Sequence, residues 1–248
     1  MKYTGAGTQK IEEELSELFP EVEVLRMDTD TVAATGSHEA LLKRFREEKI
    51  PIMIGTQMVT KGLDFENVTL VGVLSADQSL YTGNFRSGER TFSLITQVVG
   101  RCGRGTKPGR AVIQTYSPDN ETIRQAAAQD FQAFYESELQ IRQMQHTPPF
   151  SDQFVLTVSG TVENHVLRCA AAIRNELFSA LRDTADVRIF GPAPYAIVRV
   201  NNKFRYRITL QCRESKQIRQ LLADILCRYN TDQAYKGVSV FADANPTD

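Results

Sequence analysis

Short apolar runs alternating with amphipathic helices constrain this chain more than any other feature. "VEVL" (residues 22–25), "IPIMIG" (50–55), "VTLVGVLS" (68–75) and "GRAVIQTY" (109–116) read as short strands. Between them lie helical patterns. "TQKIEEELSELFP" puts Ile11, Leu15, Leu18 and Phe19 on one face, and Pro20 stops the helix. "HEALLKRFREEK" turns Leu41, Leu42 and Phe45 inward, and a third helix covers residues 89–99. Buried strands separated by helices predict a parallel sheet covered on both faces.

After Pro118 the texture changes. "NETIRQAAAQDFQAFYESELQIRQM" reads as one long amphipathic helix, and "HTPPF" breaks the chain. From residue 151 the order is β-α-β-β-α-β, which predicts a smaller α+β, ferredoxin-like sandwich. The expected organisation is therefore an α/β domain over residues 1–118, a long helix and Pro-rich linker over 119–150, and the second domain over 151–248. The 29 Lys and Arg residues balance 30 Asp and Glu, for a net charge of −1. Such a chain is no generic polyanion binder, so contacts to nucleic acid must come from local patches. No apolar run reaches the roughly 20 residues that cross a bilayer, and the first residues lack a signal-peptide core; a cytoplasmic protein is expected. The 4 cysteines form no C-x-x-C pair, and no metal site is expected.

Two stretches carry chemistry. "GTQMVTKGLDF" (residues 55–65) follows a buried strand, where ligands of α/β sheets bind. Thr56 and Gln57 offer a hydroxyl and an amide there, Gly62 permits close backbone approach, and Asp64 can accept from a ribose hydroxyl. A plain strand-to-helix turn accounts for the same residues. "QVVGRCGRG" (residues 97–105) holds Arg101 and Arg104 three apart, between glycines. Two fixed guanidiniums suit the negative charge of a transferring phosphate, and Gln97, one turn earlier, can position a water or a base edge. A basic helix end capped by glycine is the competing account.

The hairpin "YAIVRVNNKFRYRITLQ" (residues 195–211) alternates aromatic and basic residues. Keeping its apolar residues on one face demands an odd-length loop, pairing Val200 with Phe204 and Arg199 with Arg205. Arg199, Arg205 and Arg207 then form one positive patch, either a phosphate or acidic-peptide site or a solvated sheet face. His38, His146 and His165 have no partner at suggestive spacing, and Phe131, Phe134 and Tyr135 read as packing residues.

"GTQMVTKGLDF" and "QVVGRCGRG" resemble motifs V and VI of superfamily 2 helicases. Together with "GAGTQKIEEELSELFP", "SLYTGNFRSGERTFSLITQVVGRCGRG", "AQDFQAFYESEL", "TPPF" and "GPAPYAIVRVNNKFRYRITLQC", they resemble the PriA family of replication-restart helicases over essentially the whole chain. The resemblance implies a RecA-like second motor lobe followed by the family's C-terminal domain. In that frame Arg101 and Arg104 are arginine fingers reaching ATP on a partner lobe. Gly62 and Asp64 touch the nucleotide or couple it to DNA. Thr56 and Gln57 hold the single-stranded backbone, Thr8 and Gln9 lie near DNA, and Lys61 contacts a phosphate. Leu63 replaces the family's usual histidine, and "TGNF" stands where a Pro-Asp pair usually precedes the Phe.

The sequence holds no G-x-x-x-x-G-K-[ST] stretch, no DExH-type run and no cysteine-rich insertion. The expectation is a piece of a longer protein. ATP and magnesium would be bound mainly by another lobe, and zinc by an insertion outside this chain. The implied function is the C-terminal portion of an ATP-dependent 3′–5′ DNA helicase in replication restart and primosome assembly. The implied partners are forked and single-stranded DNA, single-stranded DNA-binding protein and primosome or helicase-loader proteins. The alternative is a non-catalytic DNA- or protein-binding module with a motor-like lobe.

Overall fold

A computed structural model describes residues 7–28, 30–32, 38–56, 68–100 and 108–246. They divide into two units. One takes the described residues up to Gly83 and Ser87–Phe134; the other takes Asn84–Arg86 and everything from Tyr135.

In the first unit, α1 (Thr8–Leu18) ends ahead of Pro20 and leads into β1 (Val24–Met27). The strand lies two residues later than the sequence pattern suggests. α2 (His38–Glu47) then returns the chain to β2 (Ile52–Gly55), which pairs with β1 in parallel. Parallel strands need such a crossover. Leu25, Met27, Leu41 and Ile50 are buried together, with Leu42 and Phe45 packed against them. Ile11 and Leu15 are half-buried as expected, whereas Leu18 and Phe19 are exposed.

The second crossover repeats the pattern. β3 (Leu70–Val73) runs into α3 (Ser87–Val99) and on to β4 (Arg110–Ile113), again parallel. Phe92 and Ile95 of α3 are buried with Ala76, Ile123, Ala126 and Phe134. The Phe92 and Phe134 rings stack at 4.1 Å and 12°.

The long helix expected after Pro118 is two helices, α4 (Glu121–Ala128) and α5 (Phe131–Gln145). Gln129 takes a left-handed conformation, φ 55°, and its amide bonds Ala126 O and Gln125 O, closing α4. The Asp130 carboxylate accepts from the Ala133 amide and opens α5. One residue ends a helix and the next begins another, so the apolar periodicity runs through a break.

In the second unit, β5 (Asp152–Gly160), α6 (Glu163–Ala180), β6 (Arg188–Val200), β7 (Lys203–Cys212), α7 (Lys216–Thr231) and β8 (Val238–Ala244) follow the expected β-α-β-β-α-β order. Their sheet is antiparallel, in the order β6-β7-β5-β8. Phe154, Leu156, Val158, Ile208 and Leu210 meet Val166, Ile173 and Leu177 of α6 and Ile218, Leu222 and Ile225 of α7 in one core. The alternate residues of each strand therefore face away from the helices. Asn245 ties the chain end to β5: its side chain accepts from Gln153 N at 2.7 Å and donates to Asp152 at 3.0 Å.

The β6–β7 turn contradicts the odd-length loop. Val200 pairs with Lys203 and Arg199 with Phe204, leaving Asn201 and Asn202 as a two-residue turn. Both asparagines have positive φ, 49° and 63°, the signature of a type I′ hairpin. Local turn preference wins over face matching because β6 absorbs the mismatch. Residues 195–198 lie opposite Arg205 alone, between the Pro194–Tyr206 and Arg199–Phe204 pairs. Gly191, at φ +95°, opens a second irregularity; a Cβ there would stand 2.6 Å from Arg207 O.

Asn202→Val is expected to destabilise the second unit by about 1–2 kcal/mol in urea unfolding, the cost of left-handed backbone for an L-residue, and Asn202→Gly is not. Equal tolerance of both would contradict the tight turn.

Candidate nucleotide and nucleic-acid interface

In the first unit, each strand hands a polar group to its carboxyl end, the edge where α/β sheets bind ligands. β1 is followed by Asp28, which is buried. Its carboxylate accepts from Thr8 Oγ1 at 2.6 Å and from the Thr31 amide at 2.9 Å, and Arg26 Nε lies 3.1 Å away. Those hydrogen bonds, led by Thr8 and helped by Arg26, hold its pKa at about 2 against burial. Arg26 also bridges to Glu12 of α1 at 3.0 Å. The cluster therefore pins the start of α1 to the end of β1.

β2 is followed by Thr56, which is exposed. β3 is followed by buried Asp77, which accepts from Thr115 Oγ1 at 2.6 Å and the Tyr116 amide at 2.8 Å, just beyond β4. Burial pushes the Asp77 carboxyl up, but these hydrogen bonds outweigh it and leave the pKa lowered.

The sequence reading missed Asp28 and Asp77. The available signal was a carboxylate placed directly after an apolar strand, in "VLRMD" and "LVGVLSAD". Thr8, expected to lie near DNA, spends its hydroxyl proton on Asp28. Gln9 is exposed and donates to Glu13 at 3.2 Å.

Gln57, Lys61, Gly62, Asp64, Arg101 and Arg104 lie outside the described residues. Gln97 sits on the exposed side of α3. Helical bonding continues through Gly100, whose amide bonds Thr96 O at 2.9 Å. A Cβ at Gly100 would come within 3.1 Å of that oxygen. The glycine-arginine stretch thus begins as the carboxyl end of α3.

In the second unit the three expected arginines separate. Arg205 and Arg207 lie over the Tyr195 ring, 4.4 and 5.7 Å from its centroid. Arg199 instead pairs with Phe204 and lies 5.1 Å from that ring, while its guanidinium donates to Asn202. Phe204 packs against the helix-covered core, so Arg199 belongs to the opposite face. The single three-arginine patch is corrected to a pair plus one; the cause is the two-residue turn.

Other reactive groups recede. Burial pushes the Cys169 and Cys212 thiols up to about 11, leaving them poor nucleophiles and poor metal ligands. Among the described residues, no three His, Cys, Asp or Glu side chains are grouped to hold a metal ion. No described helix is long and apolar enough to cross a membrane.

Comparison with known proteins matches residues 5–106 to the helicase conserved C-terminal domain and residues 143–247 to the primosomal protein N C-terminal domain. The chain is 42% identical to the replication restart protein PriA of Bacillus subtilis (strain 168), covering 99% of this chain and 30% of that protein. It is 39% identical to the Synechocystis sp. PriA, over 85% of this chain and 25% of the relative. The Haemophilus influenzae PriA is 33% identical, over 99% of this chain and 33% of the relative. The chain thus spans about a third or less of these relatives' length.

The Asp28 cluster sets a pH dependence. A carboxyl held at about 2, below its ordinary 3.8, stabilises the fold above about pH 4, and that contribution fades as pH falls towards 2. Acid unfolding of Asp28→Asn is expected to lack this component, with the wild type losing its advantage between pH 4 and 2. Parallel stability curves for the two proteins over that window would contradict the cluster.

Proposed function

We propose, from its membership of the PriA family of replication restart proteins, that this chain supplies the second half of an ATP-driven 3′-to-5′ DNA motor and the domain that helps hold the fork. The supporting observation is the pair of strand-helix-strand crossovers. They bring Asp28, Thr56, Asp77 and Thr115 to the carboxyl ends of parallel strands, and α3 delivers its own carboxyl end to the glycine-arginine stretch.

In this reading Arg101 and Arg104 reach across to a nucleotide held by another lobe. Their guanidiniums stay protonated and neutralise charge on the transferring phosphoryl group. ATP with magnesium supplies that group. This chain contributes Gln97, Gly62 and Asp64 around it. Thr56, Gln57 and Lys61 hold the single-stranded backbone beside the same edge, with Thr8 and Gln9 nearby. Asp28 acts by fixing Thr8 and the first turn of α1 rather than by touching DNA. The implied partners are forked and single-stranded DNA, single-stranded DNA-binding protein and loader proteins of the primosome. Any structural zinc belongs to a segment outside this chain.

An arginine without a phosphate cradle performs no hydrolysis. The 248-residue chain alone is expected to show no DNA-stimulated ATPase. Arg104→Ala in a full-length PriA carrying this segment is expected to lower turnover by about 10³–10⁵-fold while ATP binding survives. Robust turnover by the chain alone, or a change of only a few-fold in the variant, would overturn the reading.

A further inference from the structure

The helix-free face of the second unit's sheet carries a feature that the motor reading does not use. Strand register aligns Phe241, Thr157 and Arg207 in one row across β8, β5 and β7, and Ser239, Ser159 and Arg205 in the next. The Thr157 side chain is buried, and its hydroxyl hydrogen-bonds the Tyr195 hydroxyl at 2.5 Å. That anchor holds the tyrosine ring over the sheet, with both guanidiniums against it.

Stacking on a ring leaves the planar N–H fork of an arginine free to bond at its edges. Among the described residues no carboxylate forms an ion pair with Arg205 or Arg207. Among the described strand residues of this face, Asp243, opposite Val155, is the one acidic residue. Arg188 joins the two arginines there, its guanidinium 3.2 Å from His146 Nε2. The charge on the face is therefore positive in a chain whose net charge is −1. Flat apolar rings flank it: Phe241 on β8 is 46% exposed and Phe190 on β6 is 51% exposed. Phe241 lies two strands from Arg207, roughly 10 Å at ordinary strand spacing.

We infer that this face is a single-strand binding platform. Arg205 and Arg207, held by Tyr195, clamp the phosphodiester backbone, and Phe241 and Phe190 stack bases. The inference deepens the proposed DNA contact of this domain and rests on that reading. It assigns the clamp to Arg205 and Arg207 and removes Arg199, which the turn places on the other face. An acidic peptide would engage the guanidiniums but has little use for exposed rings at both edges of the sheet. Nucleic acid uses both features.

The test is fluorescence anisotropy of the 248-residue chain with a fluorescein-labelled dT20 strand, titrated in NaCl from 50 to 300 mM. Each phosphate contact on a single strand contributes about 0.7 to the slope of log K against log salt. The double variant Arg205→Gln/Arg207→Gln is expected to lower the slope by about 1.4 and to weaken binding several-fold at 50 mM salt. Phe241→Ala weakens binding with the slope unchanged, because stacking is not ionic. Arg199→Gln alters neither. Arg205→Lys/Arg207→Lys retains the slope and loses affinity, which separates charge from fold damage. An unchanged slope in the double variant, or an equal loss in Arg199→Gln, overturns the platform. So does a double variant that keeps dT20 but loses a labelled Glu-rich peptide. Arg104→Ala ATPase in the full-length protein is independent of these readouts, so a failed clamp and a failed motor reading are told apart.

Discussion

A parallel strand pair cannot be closed by a tight turn; it needs a helix to carry the chain back. The strand directions of the first unit follow from that constraint. The crossovers β1-α2-β2 and β3-α3-β4 point all four strands the same way within their pairs. The polar residues that follow each strand, Asp28, Thr56, Asp77 and Thr115, therefore fall at carboxyl ends, the edge where α/β sheets bind ligands. The return helix α3 is buried through Phe92 and Ile95, with Phe134 stacked on Phe92. Its far end is thereby positioned by a core formed about one to two turns earlier in the helix.

The second unit obeys a different constraint. Two helices cover one side of a four-stranded antiparallel sheet, so half of each strand's side chains are excluded from the core. Arg205, Arg207, Thr209 and Gln211 alternate with Tyr206, Ile208, Leu210 and Cys212 for that reason. Whether Arg199 joins the open side depends on the length of one turn. Two left-handed asparagines set that length, and the irregular stretch of β6 takes up the difference.

The strand and helix order of both units could be read from apolar periodicity, because α2, α3, α6 and α7 each bury a clear face. The break between α4 and α5 could not. Gln129 and Asp130 act through backbone conformation and a cap, neither of which disturbs the spacing of Ile123, Ala126 and Phe134. The hairpin misled because face matching assumes regular strands, and β6 is not regular. Asp28 and Asp77 were missed because their meaning comes chiefly from Thr8 and Thr115, which only the fold brings near, with Thr31 a local partner three residues on from Asp28. Of the motif residues, Thr56 directly follows β2 and Gln97 lies in the last turn of α3.

The account turns on whether the stretch after α3 faces a phosphoryl group during turnover. Hydrogen exchange on a full-length PriA carrying this segment, with and without ADP–aluminium fluoride, measures that directly. The account predicts that peptides spanning residues 97–107 gain protection with the transition-state mimic and gain much less with ADP alone. Identical exchange in that stretch under both conditions, with protection confined to other parts of the protein, would contradict it.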